Sequence, residues 1–216
     1  MYNEIKKDIR DTISKYLKKG IIIQPNFSEK HCTQDSIQST HSLTGIFKDL
    51  PYYKIFNQLY DERNYICCLE DGSFFQVGYW FKSVNKKKKF INKAVLSFYP
   101  NLEDYEDDLF LNKFKNYIRI EFSINDSDHT VIKHPKGHIH IGLYNEFRIG
   151  ISRIPKFSEF VNFVLYLNYQ DVWSTLFDGE LNKLIKDIER LNKNKKTYTE
   201  EECLLQEEKE YISITI

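Results

Sequence analysis

Across residues 115–124 the chain alternates without a break, with Tyr117, Arg119, Glu121 and Ser123 on one parity and Ile118, Ile120, Phe122 and Ile124 on the other. Successive strand side chains point to opposite faces, so this segment reads as a β-strand with one apolar and one polar face. The apolar face must be core. The polar face sets a guanidinium and a carboxylate side by side, and any fold for this chain must give that face somewhere to go.

The rest of the sequence supplies the partners. Residues 3–19 place Ile5, Ile9, Ile13, Tyr16 and Leu17 at helical spacing, and Gly20 can end that helix. Ile21–Ile23 reads as a short strand or buried linker, residues 25–45 as a long polar loop, and Pro51 as the start of a helix carrying Tyr53, Ile55, Phe56, Leu59 and Tyr60. Residues 65–70 and 73–82 flank Asp71-Gly72, a strong hairpin signal. Residues 90–99, 138–144 and 147–151 read as further strands, 157–170 as a buried aromatic helix, 181–191 as an amphipathic helix and 211–216 as a final strand. Helices, then an antiparallel block, then helices predict an α+β fold: an antiparallel meander sheet flanked by N-terminal and C-terminal helices. We expect a single domain over 1–216, with a helical part to about 62, the sheet over about 64–155 and helices over about 157–216.

Composition narrows the function classes. Hydrophobic residues at 41% are enough for a core, while only 8 glycines weigh against glycine-rich phosphate loops. Basic and acidic residues balance at 31 each, so no global charge favours nucleic acid. The lysines at 86–89 read as a solvated hairpin tip and the acids at 103–108 as a solvated loop. Cys32, Cys67, Cys68 and Cys203 make neither a zinc spacing nor a disulfide framework. The N-terminus has no signal-peptide pattern, and no apolar run reaches the roughly 18 residues a membrane helix needs, so a cytoplasmic protein without membrane attachment is expected.

Four of the six histidines, His129, His134, His138 and His140, lie within residues 129–140. On a strand, His138 and His140 share one face while Ile139 and Ile141 share the other. Pro135 and Gly137 bend the approach and can bring His134 to the same side. Paired imidazoles ligate a divalent metal or divide acid and base roles near neutral pH. Arg119 and Glu121 join them if the two strands are neighbours. Arg153, before Pro155, either reaches the same face or sits in a loop.

Arg119-Ile-Glu121-Phe, then His134-Pro-x-x-His138-Ile-His140-Ile-Gly142, then Arg153-Ile-Pro155 and an aromatic helix together resemble a bacterial domain-of-unknown-function family, number 2290. The resemblance spans most of the chain, with its motifs over about residues 117–170, and implies an accessory or effector protein. The family pattern carries a Tyr-Asp-type pair after the Arg-x-Glu strand. Phe122-Ser123 stand there in this chain, with Asp126 and Asp128 as substitutes.

Three functions compete. The first is a nuclease or phosphodiesterase, RNA favoured, in a bacterial defence or toxin setting. His134, His138 and His140 would supply acid and base, Arg119 or Arg153 would stabilise the transition state, and Glu121 would assist. It works either without a cofactor or with a divalent metal ion held by His138, His140 and Glu121. The second is a non-catalytic module binding a phosphate-containing ligand or a protein partner encoded nearby. The third is a cupin-like metal site, since His138-x-His140 followed by Glu146 loosely resembles that ligand pattern, although the spacing differs and a later histidine is missing. No Walker A loop, Gly-x-Gly-x-x-Gly, Gly-x-Ser-x-Gly or Cys-x-x-Cys pair occurs.

Overall fold

The structure is a computed structural model that describes residues 1–39, 50–83, 89–101, 116–124, 135–142, 148–177 and 213–214. Helix α1 (Tyr2–Lys18) buries Ile5, Ile9, Ile13 and Tyr16, one turn apart along a single stripe, and Lys15 and Lys18 lie in its last turn, where cations favour the helix dipole. Gly20, at φ +72°, turns the chain into β1 (Ile22–Pro25). The expected polar loop holds more structure than its composition suggests: a short 3-10 turn (Glu29–His31) and strand β2 (Ser36–Gln38). Ile37 alone is fully buried there, and a lone apolar residue carries no period to read. After α2 (Tyr52–Asp61), preceded by Pro51, come β3 (Cys67–Leu69) and β4 (Phe74–Ser83), joined through Gly72 at φ +82°. Then follow β5 (Lys89–Tyr99), β6 (Ile118–Ser123), β7 (Gly137–Ile141), β8 (Ile149–Ile151), α3 (Phe157–Asn168), α4 (Gln170–Phe177) and β9 (Ser213–Ile214). The helix expected over 157–170 breaks at Tyr169 and restarts as α4. The helix expected over 181–191 lies outside the described residues.

The described strands form one sheet in the order β1-β3-β4-β5-β6-β7-β8-β9, with β2 pairing alongside β4. Along the path from β3 to β8 each strand pairs with the next in sequence, and each of those pairings is antiparallel. The fold is therefore α+β, a meander with helices at both ends. Only β9 joins in parallel, against β8. Among the described residues, no helix is long and apolar enough to cross a membrane.

One face of the sheet is the main core. Phe75, Val77 and Tyr79 of β4, Leu96 and Phe98 of β5, Ile118, Ile120 and Phe122 of β6 and Ile139 of β7 join the buried stripes of α1 and α3. Asp8 of α1 accepts hydrogen bonds from the backbone N–H (3.0 Å) and hydroxyl (2.6 Å) of Ser158, tying the first helix to the start of the third. Tyr16 donates to Asn162 farther along the same pair. At the opposite face, α2 covers one end, where Phe56, Leu59, Phe74, Tyr99 and Tyr117 form a second, aromatic cluster.

This layering sets the strand register. Ile118, Ile120 and Ile139 are completely buried and Phe122 nearly so. At roughly 1.5–3 kcal/mol each, a one-residue slip that reversed the faces would cost on the order of 10 kcal/mol. The polar residues of β6 and β7 are thereby committed to the second face.

Candidate functional site

On that second face β6 and β7 are neighbours, with Glu121 directly opposite His138 and Arg119 directly opposite His140. The two imidazoles stand edge to face, with centroids 4.8 Å apart. Both turn Nε2 towards one carboxylate oxygen: Glu121 Oε2 lies 3.4 Å from His138 Nε2 and 3.6 Å from His140 Nε2. Arg119 Nε lies 3.4 Å from the other oxygen, Oε1. The histidines are 2% and 5% exposed, whereas Arg119 and Glu121 keep about a third of their side-chain surface, at 36% and 34%. The cluster thus has a closed imidazole side and an open Arg/Glu side.

The orientation of His138 carries chemical information. Its Nδ1 lies 2.7 Å from the Pro135 carbonyl oxygen, which can only accept, so Nδ1 bears the proton. In the neutral ring Nε2 then presents a lone pair to a carboxylate. Two acceptors facing each other repel unless a cation sits between them, either a proton or a metal ion. An imidazole anchored through one nitrogen to a backbone carbonyl is the usual second-sphere arrangement of a metal-ligating histidine. Glu121, His138 and His140 each offer one ligand atom, and these atoms lie within 4.8 Å of one another. Two imidazoles and a carboxylate suit zinc or another first-row divalent ion.

Burial by itself would push the Glu121 carboxyl up. Protonated at Nε2, His138 and His140 would donate to it, and with the charge of Arg119 they outweigh burial and hold it well below the usual carboxylate range. A carboxyl depressed by folding adds stability that is present above its unfolded value, about 4.3, and lost as pH falls below that value. The metal-free protein should therefore melt at progressively lower temperature as pH drops below about 4. Glu121→Gln should flatten that part of the curve; an unchanged slope in the variant would remove Glu121 as the source. Arg119 is in turn held cationic against its burial by Tyr117, Glu121 and Tyr99.

Of the residues singled out from sequence, the structure brings Arg119, Glu121, His138 and His140 together. It places Arg153 elsewhere. The Arg153 guanidinium makes a two-pronged ion pair with Glu159 in the first turn of α3 (2.6 and 3.0 Å), at the helix that packs on the main core face. His134 lies outside the described residues, as do His129, Asp126, Asp128 and Glu146. Sequence reading missed the Pro135 carbonyl, Tyr117 behind Arg119, and the buried polar pair Gln76 and Ser97, with Ser97 directly opposite Arg119. Polar residues at alternate positions in otherwise apolar strands were the available signal for that pair.

A family model described as Uncharacterized conserved protein (DUF2290) matches residues 21–216. The chain belongs to this family. The DUF2290 match takes in every strand and begins just after α1. No curated protein and no solved structure matches the chain. The DUF2290 description names no reaction.

Proposed function

We propose that the protein is a divalent-metal-dependent phosphodiesterase acting on nucleic acid, with RNA favoured, and that Glu121, His138 and His140 hold the metal ion. The observation that carries this reading is the approach of both Nε2 atoms to one carboxylate oxygen, with the His138 ring fixed by the Pro135 carbonyl. Two neutral imidazoles and one carboxylate around a divalent ion leave a net positive centre. Arg119 adds a further charge on its open side. Such a centre attracts a phosphodiester and disfavours a cationic or neutral substrate.

Hydrolysis adds water across a P–O bond: the water oxygen bonds to phosphorus, one of its protons leaves, and the departing oxygen takes one up. The metal would supply Lewis-acid activation of that water and charge neutralisation. Arg119, partly exposed and with its Nε beside Glu121 Oε1, can hold a non-bridging phosphate oxygen as charge builds there. In RNA the ribose 2′-hydroxyl can take the place of that water, its oxygen bonding to phosphorus as its proton leaves and the departing oxygen takes one up, which is why RNA is favoured. A cytoplasmic setting fits such a substrate.

Metal analysis of the purified protein should find one equivalent of zinc, manganese or iron per chain. Single-stranded RNA should be cut, and a chelator should stop the cutting until metal is restored. Binding of nucleotide or protein without turnover, with or without metal, would favour a non-catalytic module instead.

A further inference from the structure

We infer that Trp80 and Lys93 form a strand-binding track that carries single-stranded nucleic acid from the Glu121–His138–His140 centre onto the β4–β5 hairpin. This rests on the phosphodiesterase reading of that centre and adds the residues that would hold the polymer beside it.

The register places the track. Glu121 is opposite His138 on one side and Val95 on the other, Val95 is opposite Gly78, and one step along the same face Lys93 is opposite Trp80. The Trp80 indole lies across Gly78: a Cβ at that glycine would come within 2.6 Å of Trp80 Cζ3. The ring therefore spreads over the sheet surface, half-buried, two strands from Glu121 and so about 10 Å away. Lys93 Nζ sits over the ring, 5.3 Å from its centroid.

The charge of the hairpin is one-sided. Residues 73–102 contain six lysines (Lys82, Lys86, Lys87, Lys88, Lys89 and Lys93) and no aspartate or glutamate, in a chain whose overall charge is zero. Lys89 is engaged with Asp35 and the Gln34 carbonyl, while Lys82 is exposed. Lys82, Lys89 and Lys93 on the two strands, with the half-buried indole among them, are the pairing that tracks a single strand, the lysines meeting phosphates and the ring meeting a base. In the unliganded protein the ammonium of Lys93 covers the indole. A phosphate draws the ammonium away, and base stacking replaces a weaker cation–π contact. An acidic peptide would use the lysines and leave the indole idle, so the platform favours nucleic acid.

The chain has two tryptophans, and the other, Trp173, contacts Tyr166 between α4 and α3. A Trp173→Phe protein therefore reports on Trp80 alone. Titrated with an oligoadenylate in a chelator, it should show saturable quenching that weakens as salt rises. Trp80→Leu should weaken binding by about 5- to 100-fold, Trp80→Phe should recover most of it, and Lys93→Ala should lower the salt dependence by about one counterion. Trp80 fluorescence unaffected by oligoadenylate in a protein that still melts cooperatively overturns the track, as does equal binding of an abasic oligomer or of polyglutamate. Quenching without cleavage after metal is restored keeps the track and removes the phosphodiesterase reading. Cleavage undiminished in Trp80→Leu at subsaturating RNA does the reverse.

Discussion

Replacing His138 with alanine should abolish both metal retention and RNA cleavage, and His140→Ala should do the same. Altering a second-sphere partner of a metal ligand commonly costs 10–100-fold in affinity or activity; removing a ligand from a three-residue set should exceed about 100-fold. Glu121→Gln keeps the shape of the side chain and removes the charge that balances the ion, so it belongs with the histidine variants. Arg119→Ala should separate from all three. It should retain the metal and lose turnover by about 10²–10³-fold, the usual scale for deleting one donor to a developing anion. Bound metal measured beside cleavage, with melting curves to confirm folding, checks the set. Metal retained at full stoichiometry in both histidine variants would end the assignment of this cluster as the metal centre. The expected separation follows from position: both imidazoles converge on Glu121 Oε2, whereas Arg119 meets the other carboxylate oxygen, Oε1.

The second large effect concerns Arg153, which sequence reading offered as a catalytic candidate. Glu159→Ala should destabilise the fold by about 3–5 kcal/mol, because it breaks a nearly buried ion pair and strips a charge partner from a guanidinium that is 7% exposed. In a chain of this size that corresponds to a fall in Tm of about 6–20 °C. The same carboxylate also accepts from the Lys156 backbone N–H (2.8 Å), so the first turn of α3 loses its cap as well. Replacing the pair together, as Arg153→Met with Glu159→Leu, should recover much of the stability, since two apolar groups leave no uncompensated charge. Cleavage per folded molecule should hold in Glu159→Ala. A drop in turnover beyond the unfolded fraction would return Arg153 to the reaction.

Local periodicity made much of this protein legible from its residues. The period-2 alternation around Arg119 and Glu121, the His138-x-His140 spacing and the Asp71-Gly72 turn each act within a few residues, and α1 and α2 announce themselves by stripes one helical turn apart. These patterns are enough to say that two histidines share a face, and that an arginine and a glutamate share another. They also locate the β3–β4–β5 part of the meander, because consecutive strands with short connections pair in order.

What only the tertiary structure decided is which faces meet. The pairing of Glu121 with His138 and of Arg119 with His140 depends on β6 and β7 being adjacent in one register, and a slip by one residue would have turned both histidines into the core. That register is held by the burial of Ile118, Ile120 and Ile139 against helices more than a dozen residues away in sequence, which no short window contains. The same long-range packing gives Arg153 to Glu159, draws β2 out of a polar stretch onto the edge of β4, and lays Trp80 over a glycine. Sequence determined which side chains could act together, and the packed sheet decided which of them do, because residue type and spacing are local while register is set by the whole core.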